Sequence, residues 1–144
     1  MFQSPITAQT KATSAAFVTV LSPLTAAEYL RMRREAAKLS IDDVAAAMTR
    51  SRADRGEAAA FLRLIETPGT RVNRHDTLLR LQNVFPFDLA VYGQLLDEPA
   101  DRHPQICRGC GCSHWDPCDD NGQGPCAWSS PTACTRCLPV GDGQ

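Results

Sequence analysis

A chain of 144 residues with 15 Lys and Arg, 16 Asp and Glu and a formal net charge of −1 has room for one ordinary domain and a small module. The near-balance of charge excludes a general polycation that coats nucleic acid. No apolar run reaches the length of a membrane span, so the expectation is a cytoplasmic protein with no membrane partner.

Residues 1–22 are rich in Ala, Thr and Ser and read as a loosely ordered N-terminal arm, with strand-like content from Phe17 to Leu21. Residues 23–96 read as helical. Thr25 with Glu28 forms a capping box for a first helix that runs to about Lys38. Ser40 caps a second helix over 41–48, with Asp42 and Asp43 complementing its dipole. A polar stretch over 49–56 precedes a third helix over 57–66, which Thr67-Pro-Gly-Thr70 stops. A fourth helix is expected from Asp76 to Asn83, and a fifth from about Phe87 to Leu96. Arg31 has Glu28 and Glu35 at helical spacing, so side-chain pairing on the helix surface is its expected role. Residues 97–105 carry charge and two prolines and read as a linker that sets two modules apart.

All seven cysteines fall in the remaining module, residues 106–144: Cys107, Cys110, Cys112, Cys118, Cys126, Cys134 and Cys137. Cys107-Arg-Gly-Cys110 and Cys134-Thr-Arg-Cys137 make a paired CxxC frame, and His114 adds an eighth donor. Apolar residues are few there (Ile106, Trp115, Trp128 and Leu138), so the module buries too little surface to offset its chain entropy unaided. A metal held by thiolates can supply on the order of 10 kcal/mol of folding free energy. Gly109 is expected to let the first CxxC turn back on itself. Zinc, one ion or two, is the expected metal, with an iron–sulfur cluster as the alternative that the spacing admits. Disulfides would leave an odd thiol over. Asp116, Asp119 and Asp120 read as solvating charges. No thiol has a clear base beside it in sequence and no catalytic constellation is visible, so no enzyme is expected.

Two resemblances add to this. Leu30-Arg-Met-Arg-Arg34, Ala37, Leu39-Ser40 and Val44-Ala45 resemble the first two helices of a Cro/repressor-type (Xre-like) helix-turn-helix domain. Leu64-Ile65-Glu66 with Gly69, Leu78-Leu79-Arg-Leu81 and Phe87-Asp-Leu89 are similar to its later helices. The resemblance implies a mostly α fold, a five-helix helix-turn-helix bundle joined to a small loop-rich metal-stabilised module. It also implies a transcription regulator that binds double-stranded DNA through the major groove, as a dimer. The chain departs from that pattern in a longer segment after Val44-Ala45 and an Ala-rich third helix poor in base-reading side chains. DNA contact is therefore expected from Arg50, Arg52 and Arg55 before the third helix, from Arg71 and Arg74 after it, and from backbone N–H groups at Ser40. The cysteine run resembles a cassette appended to assorted bacterial and phage proteins, which implies a prokaryotic or phage origin and names no function. Two other functions stay open. One is a protein–protein adaptor without DNA readout, marked by an uncovered Ala58/Phe61/Leu62 face; the other is an iron–sulfur redox-sensing regulator.

Overall fold

The computed structural model describes residues 21–119, 122 and 124–137. The expected N-terminal arm, all of the Phe17–Leu21 strand but its last residue, Asp120 and Leu138 lie outside the described residues. Among those described, five α-helices precede a small cysteine-rich region. They are α1 (Ala26–Ala36), α2 (Ile41–Met48), α3 (Arg55–Ile65), α4 (His75–Gln82) and α5 (Leu89–Asp97). None of them is long and apolar enough to cross a membrane.

Local chemistry sets most of the boundaries. Both halves of the Thr25/Glu28 capping box form: the Thr25 hydroxyl accepts from Glu28 N–H at 3.1 Å and Thr25 N–H donates to the Glu28 carboxylate at 2.8 Å. α1 ends in a Schellman turn. Lys38 sits at φ 64, Lys38 N–H bonds the Glu35 carbonyl, and Leu39 N–H bonds the Arg34 carbonyl. A left-handed lysine costs about 1 kcal/mol that a glycine would not. α2 has the bounds expected, and Ser40 and Asp43 complete a second capping box. A 3-10 turn over Arg52–Asp54 leads directly into α3, which therefore starts at Arg55, earlier than the Ala-rich run suggested. Asp88 caps α5 by accepting from Val91 N–H at 3.0 Å, so that helix begins at Leu89.

The helices enclose one apolar core. Tyr29, Leu30, Val44, Leu62, Leu81, Val91 and Tyr92 are all but completely buried in it, and Phe85 packs on Phe87 with centroids 5.5 Å apart. Two buried tyrosines also bond backbone. Asp88 N–H donates to the Tyr29 hydroxyl at 2.9 Å, and Val72 N–H donates to that of Tyr92 at 3.0 Å. These bonds tie the loops before α4 and α5 to the core.

The cysteine-rich region is mostly turns. A two-stranded antiparallel hairpin, β1 (Trp128–Ser130) and β2 (Ala133–Cys134), and a closing 3-10 turn over Thr135–Cys137 are its regular elements. The 97–105 stretch does not hold this region at a distance. Ile106 is buried in the helical core, and Arg33 of α1 reaches across to the cysteine loop.

Candidate metal centre and basic surface

Three short loops bring the cysteines together. The first is closed by a bridge between Ile106 and Ser113, and within it Cys107 N–H bonds the Cys112 carbonyl at 2.9 Å. The second is closed by a bridge between Asp119 and Pro125, and Cys126 N–H bonds the Cys118 carbonyl at 2.9 Å. The third is the hairpin, which carries Cys134, with Cys137 on the turn after it.

The sulfurs of Cys107, Cys110, Cys112 and Cys134 all lie within 4.8 Å of one another, and so do those of Cys112, Cys118, Cys126 and Cys134. Cys112 and Cys126 are 3.7 Å apart, Cys118 and Cys134 3.8 Å, Cys110 and Cys134 3.9 Å, and Cys110 and Cys118 4.0 Å. A tetrahedron with metal–sulfur bonds of about 2.3 Å has edges of about 3.8 Å, so these sulfurs already stand at the spacing of ligands on one ion. The expected frame of two CxxC pairs is not one of these fourfold groups, although the Cys137 side chain hydrogen-bonds those of Cys107, Cys110 and Cys134. His114 belongs to neither group. It is exposed, with its ring edge-on to Trp115 at 5.3 Å.

Cys137 lies beside Gly109, whose role differs from the expected one. Its φ is not in the left-handed region, but a Cβ there would come within 2.9 Å of both Cβ and Sγ of Cys137. Glycine is needed at 109 for space. The left-handed glycine of the loop is Gly111, at φ 81.

Electrostatics divide the thiols. Burial pushes the Cys112, Cys110 and Cys137 thiols up, and pushes Cys118 up to about 12. Cys134 goes the other way. Burial alone would raise it, but hydrogen bonds from Cys137 N–H and from the thiols of Cys112, Cys118 and Cys137 outweigh burial and bring it to about 6. The free cluster thus accepts a first negative charge readily and resists further ones, which is the state a divalent cation relieves. Cys107 receives N–H bonds from Gly109 at 3.3 Å and Cys134 at 3.4 Å. The Arg136 guanidinium hydrogen-bonds the Cys118 side chain.

Sequence reasoning placed Arg33 and Arg34 on the first helix with Arg31 and gave them no role of their own. Arg31 does pair with Glu35 at 3.2 Å on the surface. Arg33 is buried instead, and donates to the Pro86 carbonyl at 3.0 Å, the Cys110 carbonyl at 3.3 Å and the Asp116 carboxylate at 3.0 Å. Asp116 is therefore a structural partner rather than a solvating charge. Arg34 is buried in a two-pronged ion pair with Glu66, at 2.7 and 2.8 Å, which raises its already high pKa.

The basic candidates separate into two groups. Arg50, Arg52 and Arg55 are exposed around the start of α3 and take part in no ion pair among the described residues. Arg71 instead pairs with Asp97 at 3.3 Å and Arg74 with Asp76 at 3.4 Å. At Ser40 the backbone N–H is taken by the Asp43 carboxylate at 2.8 Å, which places negative charge where a phosphate would have to sit. Of the expected apolar face, Leu62 is buried and Phe61 partly exposed, while Leu64 on the same helix is 57% exposed.

Fold and site together define a small, mostly helical protein whose cysteine-rich region brings its thiols together as a metal ion would require. No protein-family model, curated protein or solved structure matches the chain.

Proposed function

We propose that this chain is a DNA-binding regulator of prokaryotic or phage type, with α2 and α3 as its helix-turn-helix and the cysteine cluster as a structural zinc module. The observation that carries the reading is the trio Arg50, Arg52 and Arg55. Three guanidinium groups stand exposed, in no ion pair among the described residues, at the turn and the first residue of the second helix, where that motif meets the phosphate backbone. Arg71 and Arg74, each beside an acid, contribute less, and Ser40 contributes least. Tetrahedral sulfur spacing supports zinc over a four-iron cluster, whose cysteines bind separate irons and stand further apart. Binding as a dimer would double the phosphate contacts.

The test is fluorescence anisotropy with a labelled duplex of mixed sequence. Affinity should fall steeply between about 50 and 200 mM salt. Replacing Arg50, Arg52 and Arg55 together by Ala should weaken low-salt binding by at least about tenfold and flatten the salt slope. A wild-type protein that ignores duplex DNA at low salt sinks the proposal. One observation favours a second reading, a protein–protein adaptor: Phe61 and Leu64 present apolar surface on the α3 face that would otherwise enter the groove. Under that reading Phe61→Lys with Leu64→Lys abolishes partner capture, and the arginine triple variant leaves it intact. An iron–sulfur regulator would instead be coloured after anaerobic purification, whereas zinc leaves the visible spectrum silent.

A further inference from the structure

The two four-sulfur groups are not separate. Both contain Cys112 and Cys134. Six thiols therefore offer eight ligand positions, the number that two tetrahedral ions need. We propose that the module binds a two-ion thiolate cluster in which Cys112 and Cys134 each bridge both ions, a proposal that rests on the metal reading above but not on DNA binding. Cys107 and Cys110 are the terminal ligands of the first ion, and Cys118 and Cys126 those of the second.

The distances to the bridging sulfurs favour sharing, while Cys110 and Cys118, 4.0 Å apart in this structure, must separate to more than about 5 Å when each becomes terminal on its own ion. Cys134 lies one tetrahedron edge from a terminal sulfur on each side, 3.9 Å from Cys110 and 3.8 Å from Cys118. Cys112 lies 3.7 Å from Cys126 and belongs with Cys107 and Cys110 as well. Two independent sites would need eight donors of their own. The chain has seven cysteines, and His114, the remaining donor expected from sequence, is exposed and outside both groups.

Charge favours sharing too. Two separate four-thiolate sites would each keep a double negative charge, whereas the shared cluster keeps one double charge in all. Cys107, Cys112 and Cys134 are at most 1% exposed, so excess charge there is costly. What remains is met by groups already in place: N–H bonds from Gly109 and Cys134 to Cys107, and the Arg136 guanidinium at Cys118. On loading, the six thiols lose their protons to the buffer and eight metal–sulfur bonds form, with no change of oxidation state. Cys137 is outside both groups but hydrogen-bonds the Cys107, Cys110 and Cys134 side chains, and the two-ion stoichiometry does not need it as a ligand.

The experiment loads the reduced full chain with cadmium-113, counts ions by native mass spectrometry and records the cadmium NMR spectrum. The expected result is two ions per chain and two resonances in the all-thiolate region, each split by the other through the bridging sulfurs. Cys118→Ser should retain one ion and Cys137→Ser both. One ion at saturation, or two ions with unsplit resonances, overturns the bridged cluster and leaves a simple metal site standing. No bound ion under reducing conditions overturns the cluster and the metal reading together. The wild-type spectrum decides the matter even where a variant fails to fold.

Discussion

Tyr29 shows how one side chain can serve packing and polarity together. Its ring is completely buried in the helical core, and its hydroxyl accepts the Asp88 N–H that would otherwise be stranded at the start of α5. Burial raises its pKa from 10.0 to about 12. The native state thus holds the phenolic proton more tightly than the unfolded chain. The resulting stability is full below pH 10, falls as pH rises from there, and is gone above about 12. Two pKa units correspond to about 2–3 kcal/mol. Tyr29→Phe should cost about 1 kcal/mol at neutral pH through the lost hydrogen bond, and should lose less stability than wild type between about pH 10 and 12. Urea unfolding followed by circular dichroism checks both, and parallel alkaline limbs would contradict the assignment. Arg33 and Arg34 carry a different lesson at this scale. In sequence they are indistinguishable from Arg31, since helix spacing says which residues share a face but not what covers that face.

At the scale of elements, the loop carrying Cys107, Cys110 and Cys112 is pressed against α1. A Cβ at Gly111 would come within 2.8 Å of Arg33 Cδ and 3.3 Å of Met32 Cβ, on a backbone already at φ 81. Gly122 has the same φ and nothing within 4 Å of the corresponding position. Gly122→Ala should therefore cost only the backbone strain, about 1 kcal/mol. Gly111→Ala should cost that and about 1–3 kcal/mol more, because the loop must lift from the helix. Denaturant titration of both variants isolates the contact, and equal losses would show that the loop is not clamped. The helix ends were legible without coordinates because capping is local: Thr25 with Glu28 and Ser40 with Asp43 announce α1 and α2 within four residues. The start of α3 was less so, since nothing in Arg-Ala-Asp-Arg signals that a 3-10 turn will run into the helix.

Over the whole molecule, the helical body has its own core while the cysteine region is organised around its sulfurs. Arg33 joins them by bonding α1 to Pro86, to the Cys110 carbonyl and to Asp116 at once. Metal removal should therefore act in two stages. Chelation under reducing conditions should abolish the near-ultraviolet signal of Trp128, which packs on the cysteine cluster, while the helical far-ultraviolet signal largely persists. Arg33 and Asp116 then lose their ordered setting, and the melting temperature of the helical body should drop by about 4–8 °C for each kcal/mol lost. A near-ultraviolet spectrum unchanged by thorough chelation would mean that the region holds its shape without metal.

The sequence by itself determined the helical body, the ends of its first two helices and the confinement of every thiol to one segment, because capping, apolar periodicity and cysteine spacing act over a few residues. Only the tertiary structure decided which thiols share a centre, which arginines are buried, and that the linker brings the two parts into contact instead of holding them apart. Those outcomes depend on loops closing over distances that no local pattern encodes: Cys134 meets Cys112 because a hairpin folds back, and Arg33 meets Asp116 from more than half the chain away.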